Sequence, residues 1–186
     1  HTILSQRNFA KGAGEKGLAF ETGQAKKMKP AYDYAAKYLT PFAVLGIRVE
    51  EGKLAGIDFL PLGEATLAPS AALTRQVCEQ IEAYLHDADF QFDLPLRQSG
   101  TLHQMKVWQA MSAIPCGQAT TYGALAQQLG SSPRAVGQAC GSNPLPLIIP
   151  CHRVVAKNGA GGFMHHASGA PLAIKDWLLR HEGYQR

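Results

Sequence analysis

The stretch Asn143–Val155, which reads NPLPLIIPCHRVV, sets a cysteine and a histidine side by side behind an apolar run. That run, residues 147–149, predicts a buried strand or extended segment that leads into a pocket. A cysteine acts as a nucleophile in its thiolate form, which a nearby base or positive charge favours. His152 and Arg153 are the candidates by proximity. The stretch therefore predicts a reactive thiol at Cys151.

The pattern leaves an alternative open for each member of the Cys-His pair. Free cysteine is among the most frequently buried residue types, so Cys151 could be an inert thiol in the core. Neighbouring residues point in different directions on a helix or a strand. His152 would therefore reach the sulfur through a water molecule or a turn.

Upstream patterns indicate a small sheet followed by helices. Apolar segments within 41–61, interrupted by a glycine, predict a hairpin. Apolar spacing predicts helices over 70–86 and 102–114, with an extended segment over 90–96 between them. The Lys-, Gly- and Ala-rich segment 1–37 shows weak periodicity and is predicted to be an extension of unknown role.

Two short helices are predicted just before the Cys-His stretch. The first covers 121–129, with a threonine at 120–121 as its cap, and the dipeptide 130–131 ends it. Ser132 can cap the second helix, with Pro133 at its first position. This is a helix-turn-helix pattern, although a plain helical hairpin in the core gives the same spacing.

Small residues recur along the second of these helices. They are Ala135, Gly137, Ala139 and Gly141. A glycine inside a helix costs up to about 1 kcal/mol, so a side-chain-poor face suggests close approach to another backbone. Arg134 beside that face could contact phosphates or enter a base stack.

Composition and charge narrow the class of protein. The chain has 186 residues and 46% hydrophobic residues, enough for a sizeable core in one large domain or two small ones. We find neither an apolar run that could span a bilayer nor a signal-peptide core at the start. The four cysteines form no C-x-x-C pair, which favours a reduced, intracellular protein over a disulfide scaffold.

The positive charge is concentrated in the C-terminal half. Residues 101–186 contain 7 lysines and arginines against 2 acidic residues, whereas residues 1–100 are close to neutral. This excess favours a polyanionic partner for the C-terminal half, although an ordinary solvated surface would look the same.

The Cys-His stretch resembles the active-site signature of the O6-alkylguanine-DNA alkyltransferases. Further blocks accompany it in the family's order: Thr121-Tyr122-Gly123, Arg134-Ala135-Val136-Gly137, Lys175-Asp176-Trp177-Leu178-Leu179 and His181-Glu182-Gly183. Together the blocks span about the last 85 residues, and the Pro-Cys-His-Arg core is the most specific of them.

The resemblance implies five catalytic residues. Cys151 would be the nucleophile that attacks the alkyl carbon, and His152 would take the thiol proton through a water molecule. Glu182 would orient and charge His152, as a carboxylate does in other triads. Tyr122 would donate a hydrogen bond to the charge that develops on the base, and Asn143 would hold the turn that carries the cysteine.

Each of these partners also has an ordinary interpretation. Glu182 could be a surface residue near the C-terminus, or His181 could take its role. Tyr122 could be a packing residue at a helix end, and Asn143 could be a turn residue before the following proline.

The resemblance also implies duplex DNA as the partner, with the damaged base flipped out of the stack into a pocket. Arg134 matches the family's finger residue, on a helix that lies in the minor groove. The predicted DNA contacts are Arg134, Thr121, Tyr122, Ala135 and Gly137. The predicted base pocket comprises Val154, Phe163, Met164 and Ser168, with backbone groups of Cys151 and Val154 on the guanine edge.

Two departures from the family pattern bear on these assignments. The turn between the two helices is short, which places Arg134 in the first turn of its helix. The segment 161–171 is longer than the family's usual loop, and it could be a lid on the alkyl group or an exposed insertion. His165 and His166 suggest a metal site, but no third ligand is near in sequence, and the early cysteine-histidine cluster of zinc-binding relatives is missing.

We therefore predict an α/β protein with a sheet-plus-helix domain over 1–98 and a mainly helical domain with a helix-turn-helix over 99–186. The implied activity is a single-turnover transfer of an alkyl group from O6-alkylguanine in DNA, and less well from O4-alkylthymine, to Cys151. We predict no cofactor, no metal and no membrane partner, and a cytoplasmic monomer that is nucleoid-associated if bacterial. The rival functions are a lesion-sensing DNA-binding module and a thiol hydrolase.

Overall fold

An antiparallel sheet opens the part of the chain that the computed structural model describes, residues 32–185. Its strands are β1 (Ala36–Leu39), β2 (Val44–Glu50) and β3 (Lys53–Leu60), in the order β1-β2-β3. Glu51 and Gly52 join β2 to β3 with φ values of 51° and 71°. Positive φ at both positions is typical of a type I′ turn, which matches the twist of the flanking strands. The predicted hairpin is confirmed.

The predicted extension over 1–37 falls mostly outside the described residues. Its last part, however, belongs to the sheet, because β1 starts at Ala36 and pairs that residue with Ile47. The division at residue 98 stays a prediction. Buried side chains of the sheet and of the later helices belong to one hydrophobic cluster.

Residues 32–185 form five α-helices, and the first four lie close to the positions predicted for them. They are α1 (Ala72–His86), α2 (Leu102–Ser112), α3 (Tyr122–Leu129), α4 (Pro133–Gly141) and α5 (Ala170–His181). None of the helices among residues 32–185 is long and apolar enough to cross a membrane. Between α1 and α2 the chain is extended, as predicted, and the amide of Leu54 donates to Pro95 O (2.8 Å).

The caps explain where the two short helices start. The side chain of Thr121 accepts a hydrogen bond from the amide of Ala124, and that of Ser132 accepts one from the amide of Ala135. Gly130 ends α3 in the left-handed conformation, with φ 61°. The predicted helix-turn-helix is therefore present. Trp108 Nε1 donates to Ala139 O (2.8 Å), which fixes α2 against α4.

The predicted strand over 147–149 is wrong, although its burial is right. The segment is a turn in which Leu147 has φ 78° and the amide of Ile149 donates to Leu145 O (2.8 Å). Prolines at 144, 146 and 150 carry no amide hydrogen, so they cannot donate to a strand ladder. Strand pairing resumes only at Val154–Val155 (β5), which runs parallel to the short strand Thr120–Thr121 (β4).

Candidate active site

Cys151 begins a single turn of 3₁₀ helix, residues 151–153, directly after the proline-rich turn. Its side chain is buried and lines a cavity of about 390 Å³. One wall of this cavity comes from α3 and α4, and the other from residues 162–167: Tyr122, Gly137, Cys140 and Gly141 face Gly162, Phe163, Met164 and His165. The Cys151 thiol is therefore buried in the core but faces the cavity.

Asn143 spans the turn that carries the cysteine. Its Nδ2 donates to Ile149 O (2.8 Å), and its Oδ1 accepts from the amide of Leu145 (3.0 Å). Because both polar atoms of this buried amide are used, the backbone on either side of the turn is held in one conformation. An aspartate could not supply the donor, and an alanine could supply neither bond.

The Cys151 thiol is a protonated group at neutral pH. Burial raises its pKa to about 11, against the opposing effects of a hydrogen bond from Asn143 and the positive charge of Lys175. Burial therefore disfavours the thiolate more than these two groups favour it. Any nucleophilic role therefore requires a base that removes the proton as the reaction proceeds.

His152 is neutral at neutral pH, as such a base must be. It is fully buried, and burial lowers its pKa although Glu182 opposes that effect. Its Nε2 lies 2.7 Å from Glu182 Oε1. A carboxylate can only accept, so Nε2 carries the hydrogen and the lone pair of the neutral ring is on Nδ1. That Nδ1 is buried and has no hydrogen-bond partner among residues 32–185.

Glu182, the C-cap residue of α5, receives four hydrogen bonds. Besides His152, the donors are Arg153 Nε (2.8 Å), Arg153 Nη2 (3.0 Å) and the Tyr84 hydroxyl (2.8 Å). Burial raises the pKa of Glu182, but the bonds from His152 and Arg153 outweigh it and lower the pKa to about 2. Glu182 is therefore a buried carboxylate, and its interpretation as a surface residue is wrong.

Two sequence expectations about neighbouring charges change with this geometry. Arg153, a candidate for activating the thiol, instead forms a bidentate pair with Glu182. His181 does not replace Glu182, because its Nε2 bonds Tyr84 O (2.8 Å) and its ring stacks on Trp177.

Lys175 is a buried lysine to which the sequence analysis assigned no role of its own. Its Nζ donates to Val154 O (2.6 Å) and to Gly162 O (2.9 Å), and its side chain is fully buried. Lys175 thus links β5, the strand that follows Cys151, to Gly162 in the cavity wall. The signal was available in the run Leu172–Leu179, where a lysine stands on the apolar face of a helix.

Tyr122, at the start of α3, lines the cavity and donates its hydroxyl to Gly162 O (3.0 Å). Burial raises its pKa, so the hydroxyl stays a donor. Of the predicted base pocket, Phe163 and Met164 line the cavity, whereas Ser168 is exposed and Val154 is buried in β5 away from the lining.

The segment 161–171 contains a tight hairpin. Phe163 and His166 exchange two backbone hydrogen bonds (2.8 and 2.9 Å), and between them Met164 and His165 have φ values of 49° and 64°. Residues other than glycine seldom adopt this conformation, and its strain is typical of functional sites. The His165 ring lies against Gly141, where a Cβ atom would come within 2.5 Å of it.

The predicted DNA-binding residues lie along α3 and α4. Arg134 is the second residue of α4 and is exposed, as the short turn suggested. Thr121 and Ala135 are half-buried at the helix starts, and Gly137 lies next to Tyr122 on the cavity. Among residues 32–185, no three histidine, cysteine, aspartate or glutamate side chains are placed to hold a metal ion.

Comparison with known proteins places this geometry in context. Residues 102–184 match the family model for the DNA-binding domain of 6-O-methylguanine DNA methyltransferase. A methylated-DNA–protein-cysteine methyltransferase from Metallosphaera sedula is 34% identical over 147 residues, which cover 78% of this chain and 90% of that protein. The relative from Shigella flexneri is 50% identical over 93 residues, 49% of this chain and 52% of its own length. The chain thus spans about half the length of some of the relatives it matches.

Solved structures of the family superpose on this chain over a longer stretch than the Shigella flexneri relative aligns with. A variant of the Mycobacterium tuberculosis O6-methylguanine methyltransferase superposes with a TM-score of 0.67 at 30% identity, over 78% of this chain and 90% of that one. The same organism's OGT in complex with DNA gives 0.64 at 31% identity, with the same coverage.

Proposed function

This chain belongs to the family of methylated-DNA–protein-cysteine methyltransferases, and we propose that it repairs DNA by moving an alkyl group from the O6 atom of guanine to Cys151. The observation that carries the proposal is the buried His152–Glu182 pair beside a cavity-lining thiol. A thiol with a raised pKa needs a base, and the neutral imidazole supplies one at Nδ1.

The reaction is a displacement at the alkyl carbon. His152 takes the thiol proton through a water molecule, and the sulfur forms a bond to carbon as the carbon–O6 bond breaks. The bonding electron pair goes to the guanine. The Tyr122 hydroxyl, which donates to Gly162 O without the substrate, would turn to the base and stabilise the charge that develops there. Glu182 stabilises the imidazolium that His152 becomes.

The product limits each molecule to one turnover. A thioether has no sulfur–sulfur bond that another thiol could attack, so thiol exchange does not regenerate the cysteine. O4-alkylthymine presents a similar alkyl–oxygen bond, and we propose it as a poorer substrate.

Duplex DNA is the proposed partner, bound by a monomer. Arg134 is exposed at the start of α4, beside a cavity large enough for a flipped base. The side chain would fill the gap that the base leaves and offset part of the cost of flipping, a few kcal/mol. The positive excess of residues 101–186 supports the same partner.

The test is the loss of O6-methylguanine from a duplex mixed with a tenfold deficit of protein. We expect one equivalent to disappear per protein molecule and none with Cys151→Ser, which should still bind the duplex. Cys116→Ser is the matched control, because this thiol is half-buried outside the cavity, and it should react like the parent. Catalytic turnover would support a hydrolase instead, and binding without loss would support a lesion sensor.

A further inference from the structure

A residue from the sheet-containing half reaches the proposed catalytic pair. Tyr84, near the end of α1, is 1% exposed, and its hydroxyl donates to Glu182 Oε1 (2.8 Å). The same oxygen accepts hydrogen bonds from His152 Nε2 (2.7 Å) and from Arg153 Nη2 (3.0 Å). Tyr84 lies outside the region 102–184 that the family model matches and outside the signature blocks.

We propose that Tyr84 is a positioning residue, which sets the basicity of His152 through the carboxylate oxygen they share. The inference rests on the proposed function, because it concerns the base of that reaction. Tyr84 would touch neither the substrate nor the sulfur.

Tyr84 acts on His152 through the charge of one atom, Glu182 Oε1. A hydrogen bond from a tyrosine draws negative charge toward itself, which leaves the oxygen a weaker acceptor for a second donor. Without that bond, Oε1 would attract the His152 imidazolium more strongly, and the ring would hold its proton to higher pH. Tyr84 therefore keeps His152 neutral and able to accept the thiol proton.

The Tyr84 hydroxyl is aimed at the carboxylate by its surroundings. The Tyr84 carbonyl accepts a hydrogen bond from His181 Nε2 (2.8 Å), and the tyrosine ring meets the His181 ring edge-on. The centroids of the Tyr84 and Phe92 rings are 5.5 Å apart. Burial raises the pKa of Tyr84, so it remains a donor at every pH that matters here.

Other titratable and charged groups face this pair and stay in place when Tyr84 changes. From the described elements they are Arg153, Lys175, Cys116 and Cys151, with His181 on the far side of the tyrosine ring. Arg153 keeps its two bonds to the carboxylate, so Glu182 stays ionised in the absence of the hydroxyl. The substitution Tyr84→Phe therefore isolates the effect of one hydrogen bond.

The experiment is the pH profile of the first-turnover alkyl transfer rate in Tyr84→Phe. We expect the rising limb, which follows loss of the His152 proton, to move up by about half a pH unit. That shift makes the rate about threefold lower on the limb, with the plateau at high pH and the affinity for DNA unchanged. Tyr34→Phe is the control, because that hydroxyl bonds Asp58 in the sheet (3.3 Å), and its profile should match the parent.

A second measurement separates this inference from the proposed function. Nitrogen NMR of the His152 ring, without DNA, reports its titration directly in the parent and in Tyr84→Phe. A midpoint that rises in the variant supports the inference even if no alkyl transfer is found. An unchanged midpoint, or a rate lowered equally at every pH, overturns it and leaves Tyr84 a packing residue.

Discussion

At the scale of single residues, the site depends on one carboxylate with several donors. Glu182 fixes the His152 tautomer and neutralises Arg153 in the same buried position. Removing one partner of a buried ion pair leaves the other charge without compensation, which typically costs 3–5 kcal/mol. The orientation of the base and the stability of the C-terminal end of the chain are therefore linked at this residue.

We predict that Glu182→Gln slows alkyl transfer by roughly 10²-fold or more, because the amide neither holds the same tautomer nor stabilises the imidazolium. Affinity for a methylated duplex should change little, since Glu182 is buried away from the surface. Single-turnover rates and a binding titration at one pH check both statements. Transfer at the parent rate would contradict the proposed role.

The lowered pKa of Glu182 predicts that the stability of the fold decreases over a defined range of acid pH. This pKa is about 2 in the folded protein against 4.5 ordinarily, so the folded state binds this proton less readily than the unfolded state. The stabilisation is complete above about pH 4.5 and is lost as the pH falls toward 2, by roughly 3 kcal/mol. Urea unfolding of the parent and of Glu182→Gln across this range should show a shallower decline in the variant. Parallel curves would exclude Glu182 as the cause.

At the scale of elements, α4 and the hairpin 163–166 form opposite walls of one cavity. α4 contributes small residues to the lining and carries exposed Arg134 at its start. The hairpin contributes Met164 and His165 in a strained conformation. The base and its adduct would lie between α4 and this strained turn.

We predict that Arg134→Ala slows repair of duplex DNA by about tenfold and leaves reaction with the free base O6-benzylguanine nearly unchanged. The free base needs no flipping, so the cost that Arg134 offsets is absent. Arg75→Ala on α1 removes the same exposed charge away from the cavity and serves as the control. Equal losses on both substrates would assign Arg134 to folding or to the pocket.

The hairpin predicts a change in adduct preference. His165→Ala removes the ring that lies on α4, and Gly141→Ala displaces it, because the new Cβ would overlap the ring. Both variants should widen the cavity and raise the ratio of benzyl to methyl transfer rates. His86→Ala, an exposed histidine on α1, is the control. Unchanged ratios, with both rates intact, would make the hairpin an insertion without a role.

Local signals predicted most of these elements but not the tertiary contacts. The caps at Thr121 and Ser132 and the spacing of apolar residues are properties of neighbours in sequence, so the helices were predictable. The prediction of a strand over 147–149 failed because apolar content indicates burial, whereas the flanking prolines at 144, 146 and 150 determine the backbone conformation. The hairpin 163–166 was not predicted because its central residues, Met164 and His165, are not the glycine or asparagine that normally mark such turns.

At the scale of the whole molecule, the two halves of the described chain meet at the proposed site. The amide of Ile57 in β3 donates to Pro144 O (3.0 Å), so the sheet bonds the turn before the cysteine. The Tyr84 hydroxyl reaches Glu182 across 98 positions of sequence. Such contacts join residues far apart in the chain, and no pattern of spacing reveals them. The signature blocks predicted Cys151, His152 and Glu182, whereas Tyr84 and the pairing of Arg153 required the structure.

The most direct test of the account is the mass of the protein after reaction with a duplex that contains O6-methylguanine, followed by peptide mapping. The account predicts a gain of a single methyl group on every active molecule, located on Cys151. No second addition should follow when more substrate is supplied. A methyl group on Cys140 or Cys116, or repaired DNA with no gain in protein mass, would contradict it.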